Sequence, residues 1–393
     1  GDLCVSAIGS TTAIINLITN LFIGLSVGAG VTVAHGLGSG RNKDVSRTIH
    51  TAIPTAFISG IILTVVGLIG TKSFLTLMGT PDEFIELSIT YMRIYFCGIT
   101  SSMIYNFGSA ILRAAGDTKG PLIFLTTAGA INVILNIVFV CLFDMNVAGV
   151  ALATAISQTI SAVMTIIAMT KRTDICRLSF KKIKIYRKQL LRIIRIGFPA
   201  GIQGSLFSVS NVLIQSSVNS FGAIVVAGNS AAQNIEGFVY TIMNSFHQTA
   251  LNFTGQNYGA GKFERIKKIS YTCLILVFVT GLSTGTLAYI FSKPLLSIYI
   301  SSSSEGIKYG IIRIAYICLP YFLCGLMDVT TGLIRGLGSS LIPMIITVVG
   351  VCGMRIFWIY TIFRIPKYHT LQGLYSSYAI TWSITFISEL ILF

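Results

Sequence analysis

The stretch AHGLGSGR (residues 34–41) decides how the rest of the sequence is read, because a second stretch of the same design, GQNYGAGK (residues 255–262), follows much later. Each stretch ends a long apolar segment with a glycine cluster and continues into a short basic loop. Gly38 and Gly259 lie 221 positions apart. Glycine clusters of this kind are typical of tight loops that end helices, and no βαβ pattern surrounds them to favour a phosphate-binding loop.

Two further pairs of motifs keep nearly the same separation. Arg93 in MRIYFC and Arg313 in IRIAYIC lie 220 positions apart, and Arg113 in LRAAGDTKGP and Arg335 in IRGLGSSLIP lie 222 positions apart. A period that is held over so much of a chain indicates an internal repeat. The sequence therefore predicts two copies of one structural unit.

The composition is that of an integral membrane protein. Of the 393 residues, 53% are hydrophobic and 10% are charged, whereas roughly 25% of the residues in a soluble domain are charged. Segments long enough to cross a bilayer as a helix recur throughout, and Pro199 and Pro320 are predicted to bend the helices that contain them. We predict an all-α membrane protein with eleven spans, at residues 13–35, 48–70, 88–112, 121–143, 148–170, 196–218, 229–252, 268–291, 310–334, 342–364 and 371–393.

The loop charges predict the orientation and the lobes. Lys and Arg gather in every second loop, which the positive-inside rule assigns to the cytoplasm. We predict an N-terminal lobe at residues 1–170, a basic cytoplasmic linker at 171–195 and a C-terminal lobe at 196–393, related as parallel repeats. In the second copy a span precedes the segment that pairs with residues 1–35, and in the first copy none does. We therefore expect twelve helices in the intact protein, six per copy, with the first one missing from this chain.

Several classes of function find no support in the sequence. The net charge of +15 fits the positive-inside pattern better than nucleic-acid binding. The eight cysteines are scattered without a CxxC pair, and the four histidines are isolated. We therefore predict no enzymatic activity, no catalytic residues, no metal site, no cofactor and no nucleic-acid partner.

Ionisable side chains inside apolar spans are the first candidates for a functional site, because charge in hydrocarbon is expensive and usually functional. Glu236, Asp328 and Arg355 lie within predicted spans of the second copy, and Glu389 lies near its end. Glu236, Asp328 and Arg355 are our candidates for cation coupling. The alternatives are a structural ion pair for the acids and a structural counter-charge for Arg355.

Polar side chains in other spans form a second candidate set. They can line a substrate cavity, or they can join helices through hydrogen bonds. The substrate-cavity candidates are Tyr105, Asn106, Asn132, Asn136, Gln203 and Asn211.

Several motifs together resemble the MATE family, the multidrug and toxic compound extrusion transporters, in its bacterial DinF and NorM-like branches. They are FTGQNYGAGK (253–262), ILRAAGDTKGP (111–121), the segment from NVILNIVF to VAGVALATAISQ (132–158) and GFPAGIQGSLFSVSN (197–211). The resemblance covers essentially the whole chain. It implies twelve helices in two six-helix lobes and cation-coupled export of organic, often cationic, compounds. Two departures concern coupling: span 196–218 lacks the acid of the sodium-dependent branch, and Asn136 stands where many relatives have Asp.

The sequence and the resemblance together predict a secondary active exporter of small organic, cationic substrates. Export would be driven by antiport of H⁺ or Na⁺ through alternating access, in a monomer in the bacterial cytoplasmic membrane. The alternative within the same superfamily is a flippase for lipid-linked precursors, which would need basic residues in its cavity. A membrane-embedded enzyme is a third class, and it would need a nucleophile or metal constellation that the sequence does not show.

Overall fold

A computed structural model describes residues 2–78, 80–300 and 304–393, and all regular secondary structure among them is helical. Three helices continue into a π-helical turn, at Val138–Leu142, Ile314–Cys318 and Val348–Gly353. The α-helices are α1 (Asp2–Gly38), α2 (Asn42–Leu77), α3 (Asp82–Ala114), α4 (Lys119–Ile137), α5 (Asn146–Lys171), α6 (Arg187–Asn219), α7 (Ala223–Gly259), α8 (Phe263–Ile290), α9 (Ser292–Tyr299), α10 (Ser304–Arg313), α11 (Tyr321–Gly336), α12 (Leu341–Thr347), α13 (Met354–Tyr360) and α14 (Leu371–Leu392).

Every one of the eleven predicted spans coincides with helical structure, which confirms the all-α prediction. Six helices in the described part of the chain are long and apolar enough to cross a membrane, or seven if the bent pair α10–α11 forms one span. Contacts divide the chain into two compact units, Gly1–Ser205 and Leu206–Phe393. The division lies inside α6, after residue 196, the predicted start of the C-terminal lobe.

The glycine loops that reveal the repeat have the same backbone geometry. In the first copy the Arg41 N–H donates to the carbonyl of Gly36 at 3.0 Å, and in the second the Lys262 N–H donates to that of Asn257 at 2.9 Å. Gly40 and Gly261 have φ values of 65° and 69°, a left-handed conformation that favours glycine. These glycines therefore end helices, as predicted, and the repeat extends to individual hydrogen bonds.

In the first unit α3 is the central helix, and α1, α2 and α5 pack against it. Helices α2 and α3 approach closely, since a Cβ atom at Gly60 would lie 2.5 Å from the Cα of Thr100. The opposite face of α2 exposes Ile61, Val65 and Ile69, which follow one another at helical spacing. An apolar stripe on the outside of an already packed helix is what contact with lipid requires.

In the second unit α11 takes the central place, against α7, α8 and α14. Here the central helix is interrupted: α10 continues into the π turn Ile314–Cys318, and α11 begins only at Tyr321. The two segments are bent by 40°. Pro320 lies in the break, where its missing N–H and its ring interrupt a helix, so the predicted bend at this proline is confirmed.

The basic linker is docked on the first turns of α2. The Ser179 N–H donates to Nε2 of His50 at 3.1 Å, and the Tyr186 N–H donates to the hydroxyl of Thr51 at 3.1 Å. Between these residues and α5, the side chains of Cys176 and Leu178 are buried. The linker is therefore an ordered part of the first unit.

Candidate functional site

The most tightly organised charges of the second unit are Glu236 on α7 and Arg313 at the end of α10. Nη2 of Arg313 donates to Oε2 of Glu236 at 2.6 Å, and Nε donates to the same oxygen at 3.2 Å. Both side chains are largely buried, with exposed fractions of 3% for Arg313 and 16% for Glu236. Oε1 of Glu236 has no hydrogen-bond partner in the described part of the chain. Arg313 thus holds one oxygen of this carboxylate, and the other oxygen accepts no hydrogen bond from the described residues.

Asn229, two turns before Glu236 on α7, fixes the arginine from its other side. Its Oδ1 accepts from Nη1 of Arg313 at 2.7 Å and from the hydroxyl of Tyr375 at 2.8 Å. Its Nδ2 donates to Oε1 of Gln215 on α6 at 2.9 Å. The Arg313 guanidinium also lies 5.4 Å from the ring centre of Tyr375, within the range of a cation–π contact. The pair is therefore embedded in a network that runs from α6 through α7 to α14.

Asp328, the second predicted acid, is held through its backbone. Its carbonyl oxygen lies 2.6 Å from Nδ1 of His247 on α7, so this ring nitrogen must carry a proton and donate it. The Asp328 carboxylate forms no hydrogen bond or ion pair within residues 206–300 and 304–393, and Arg335 is the cation within electrostatic range. Asp328 therefore offers a second open carboxylate in this unit.

Arg355, the third coupling candidate, is buried against aromatic rings. Its guanidinium carbon lies 3.9 Å from the ring centre of Tyr378 and 5.8 Å from that of Trp382, and the side chain is 2% exposed. No carboxylate within the described residues forms an ion pair with it. The aromatic faces take the place of a counter-ion.

The three coupling candidates lie in one unit but do not form an ion-paired cluster. Glu236 is paired with Arg313, whereas Arg355 lies against aromatic rings. From the sequence, Arg313 was recognised only as a marker of the repeat. Arg313 is the fourth residue of the predicted span 310–334, where it resembled an ordinary interfacial arginine, and nothing in the sequence marked it as the partner of Glu236.

Glu389 on α14 is the most deeply buried acid of the described residues, with no exposed surface. Both of its oxygens lie 2.9 Å from the hydroxyl of Thr331, and Oε1 lies 2.9 Å from the hydroxyl of Thr347. The sequence indicated an ionisable residue here, but it gave no sign of the two threonines, which come from other helices.

The first unit contains a network of amides between α4 and α5. Nδ2 of Asn136 donates to Oδ1 of Asn132 at 3.0 Å, and Nδ2 of Asn132 lies 3.5 Å from Thr154 and 3.4 Å from Ser157 on α5. Two buried amide oxygens, Oδ1 of Asn136 and Oε1 of Gln158, have no hydrogen-bond partner in the described part of the chain. Helices α4 and α5 are thus joined by hydrogen bonds, and these two amide oxygens can still accept a hydrogen bond.

The other four cavity candidates do not join this network. Tyr105 donates to the carbonyl of Pro121 at 3.1 Å, and Asn106 donates to the carbonyl of Ser102 on its own helix at 2.8 Å. Gln203 is buried in the first unit, whereas Asn211 is exposed in the second. Their part in a substrate cavity stays a prediction.

Comparisons with known proteins agree with the resemblance in sequence. The sequence profile of the MatE family matches residues 1–138 and 199–361. The probable multidrug resistance protein YoeA of Bacillus subtilis is 25% identical over 393 residues, which cover 98% of this chain and 84% of YoeA. A FAD transporter of Shewanella oneidensis is 25% identical over 306 residues, which cover 76% of this chain and 67% of that protein.

The fold is also found among solved structures. An outward-facing multidrug resistance MATE family transporter of the MOP superfamily matches with a TM-score of 0.91 and 20% identity, over 100% of this chain and 87% of that one. This likeness shows the helical membrane fold, and the family profile covers well over half of the sequence. The chain therefore belongs to the MatE family.

Proposed function

We propose that this chain is a secondary active exporter, which couples the entry of a cation to the export of small organic compounds. In this proposal the chain is a multi-pass monomer in the bacterial cytoplasmic membrane. Membership of the MatE family and the name of the relative YoeA support export, and the apolar helices support a position in the membrane. The concentration of Lys and Arg in every second loop, and so on one side of the membrane, supports the orientation.

The observation that carries the proposal is the half-open carboxylate of Glu236. Its Oε2 is held by Arg313, so the carboxylate has a fixed position, while Oε1 is free to take a cation. Charges inside apolar spans are costly unless they are paired, which makes an open oxygen at this depth a functional feature. A cation bound there can drive transport only if it binds one state of the protein better than the other.

A proton suits this position better than sodium. A sodium ion on Oε1 would lie within about 4–5 Å of the Arg313 guanidinium, and two like charges at that distance repel by roughly 4 kcal/mol at an effective dielectric constant of about 20. A proton instead neutralises the carboxylate and weakens its attraction for Arg313. We therefore propose H⁺ as the ion that acts at Glu236, and a sodium-driven arm belongs in the test.

The position of Arg313 connects cation binding to a change of shape. Arg313 is the last residue before the π turn Ile314–Cys318, and the 40° bend follows directly. Weakening the Glu236–Arg313 pair therefore acts next to the point where the central helix of the second unit is already interrupted. Breaks of this kind are where helices accommodate motion at low cost.

The proposed substrates are small organic compounds, with cations favoured by the open carboxylates of Glu236 and Asp328. One relative is named a FAD transporter, so the substrates of this chain need not be drugs. A flippase for lipid-linked precursors would need free cations to hold a pyrophosphate. Arg313 is already paired, and Arg355 is covered by aromatic rings, so neither supports that alternative.

The test is dye efflux from proteoliposomes under an imposed proton gradient and, separately, a sodium gradient. We expect Glu236→Gln to abolish gradient-driven efflux because the neutral amide cannot take up a proton. The matched control is Glu264→Gln, which makes the same change at an exposed glutamate paired with Lys267 at 3.1 Å. Normal efflux by Glu236→Gln would remove Glu236 from the mechanism. Loss of efflux in both variants would point to a general effect of the substitution.

A further inference from the structure

A cavity of about 520 Å³ lies between the first turns of α2 and the docked linker, away from the charges and amides described above. The wall on the α2 side includes Lys43 and His50, and the wall on the linker side includes Asp174, Arg177, Ser179 and Lys182. All these residues belong to the first unit. Nothing in the proposed transport mechanism uses this cavity.

Three of the residues that line the cavity, Ser46, His50 and Ser179, are joined by hydrogen bonds. Nδ1 of His50 lies 2.6 Å from the carbonyl of Ser46 and must donate to it, while Nε2 accepts the N–H of Ser179 at 3.1 Å. The bond to Ser46 thus orients this buried ring on α2, and the bond from Ser179 joins the linker to it. The distance between the two walls is therefore set by the fold rather than by mobile surface side chains.

The charges around the cavity do not balance. Lys43, Arg177 and Lys182 are exposed, and none of them forms an ion pair within the described residues. The one acid in the lining, Asp174, is already occupied, because Nε of Arg172 donates to its Oδ1 at 2.9 Å and the Cys176 N–H donates to the same oxygen at 3.0 Å. The hydrogen bonds from Arg172 hold the pKa of Asp174 below its usual range. Three cations therefore surround one cavity without a counter-ion.

We infer that this cavity binds a phosphate-bearing anion, through Lys43, Arg177 and Lys182, on the cytoplasmic side of the first unit. The chemistry fits, because ammonium and guanidinium groups are the usual partners of phosphate oxygens. The position favours the phosphodiester headgroup of an anionic lipid as the source, since the cytoplasmic leaflet is negatively charged and basic pockets at this level bind such headgroups. A free phosphate compound is the other source of the same chemistry.

The experiment measures binding of fluorescently labelled phosphatidylglycerol to the purified protein in detergent, with labelled phosphatidylcholine as the neutral reference. A second arm measures the shift in unfolding temperature caused by inorganic phosphate. The test variant is the triple substitution K43Q/R177Q/K182Q. The matched control, K262Q/R265Q/K268Q, removes the same number of Lys and Arg charges from exposed positions on the same predicted side of the membrane. Both variants are first compared with the unsubstituted protein for their unfolding temperature without any probe.

We expect at least tenfold weaker binding of phosphatidylglycerol by the cavity variant, and little change in the control. A response to inorganic phosphate that disappears only in the cavity variant, without a lipid response, would support the same cavity with a soluble ligand. Equal loss in both variants would overturn the proposal, because it would show attraction to general basic charge. Retained binding in the cavity variant would overturn it as well. None of these outcomes depends on transport, so failure of the proposed efflux mechanism would be seen separately.

Discussion

The two units derive from one repeat, yet among the described residues only the second has an ion pair in its interior. The position of Glu236 corresponds, 221 residues earlier, to Ile15, which is buried among apolar side chains of the first unit. The position of Arg313 corresponds to Arg93, which is exposed. Because the first unit folds with an isoleucine and a surface arginine at these places, the architecture does not require the pair. The buried charges of the second unit are an addition to the fold, and this is the strongest reason to give them a function.

The first unit has its own polar interior, which includes amides and the largely buried Arg113, whose Nη1 donates to the hydroxyl of Ser109. Asn132 joins α4 to α5 with its amide group, and Asn136 donates to Asn132 on the same helix. The ion pairs among the described residues of this unit lie nearer its surface, as between Arg172 and Asp174. A neutral hydrogen bond is worth about 1 kcal/mol net, whereas breaking a buried ion pair leaves an uncompensated charge. The two interiors should therefore respond very differently to substitution.

The largest difference is expected between Arg313→Ala and Arg93→Ala, which change equivalent positions of the repeat. Arg313→Ala leaves Glu236 charged and without its partner, and it should lower the free energy of unfolding by about 3–5 kcal/mol. Arg93→Ala removes an exposed side chain and should change it by less than about 0.5 kcal/mol. Unfolding in mixed detergent and SDS micelles measures both values.

A double substitution sharpens this prediction. In Glu236→Leu/Arg313→Leu no charge is left unpaired, so much of the stability lost in Arg313→Ala should return, although transport should not. Equal effects of Arg313→Ala and Arg93→Ala would show that the pair contributes nothing beyond what an exposed arginine does, and the contrast between the units would fail.

The amide network of the first unit should give an intermediate effect. Asn136→Ala removes one hydrogen bond, to Oδ1 of Asn132, together with an acceptor that has no partner in the described part of the chain. We expect a loss of about 1 kcal/mol or less in the same unfolding assay. Asn132→Ala should cost more, because Asn132 faces Asn136, Thr154 and Ser157. A loss at Asn136 as large as that at Arg313 would mean that the neutral network is as sensitive as the ion pair.

The smallest effect is expected for the surface pair of the linker. Arg172 lowers the pKa of Asp174 below 3.8, so the pair stabilises the folded state at pH values above 3.8, and this contribution is lost as the pH falls through the lowered pKa. The Asp174 side chain is 47% exposed, and solvent screens the pair. Asp174→Asn should therefore cost no more than about 0.5 kcal/mol at neutral pH, and the difference from the unsubstituted protein should vanish in strong acid. Thermal unfolding across a pH series measures this; a constant difference at all pH values would assign the effect to another cause.

Much of the fold was accessible from the sequence because it depends on local patterns. Apolar length predicted the eleven helical segments, and a single residue, Pro320, predicted the bend in the second central helix. The repeat was visible because glycines such as Gly40 and Gly261 are needed at particular backbone angles. In each of these cases the physical cause lies within a few residues of its effect.

The partners within the site were less accessible, because they depend on how separate helices are rotated against one another. The sequence indicated that Glu236 was important, but it suggested Arg355 as the cation nearby, and the structure places Arg313 there instead. An apolar helix in lipid has no polar face to reveal which side points inward, so the pairing of residues on two such helices cannot be read from periodicity. The threonines that surround Glu389 were missed for the same reason.

The interruption of the second central helix also explains an irregularity in the numbering of the repeat. The separation between the copies is 220 at Arg93 and Arg313 but 222 at Arg113 and Arg335, so the second copy holds two more residues over this stretch. In a regular helix two added residues would rotate everything after them by about 200°. The π turn Ile314–Cys318 holds an extra residue in a widened turn, and the break at Pro320 can accommodate the other.

Both copies nevertheless end alike, with the N–H groups of Gly116 and Gly338 donating to the carbonyls of Arg113 and Arg335 at 3.0 and 2.8 Å. The second central helix thus accommodates two added residues at its bend, while its C-terminal end keeps the same hydrogen-bonding pattern as that of α3.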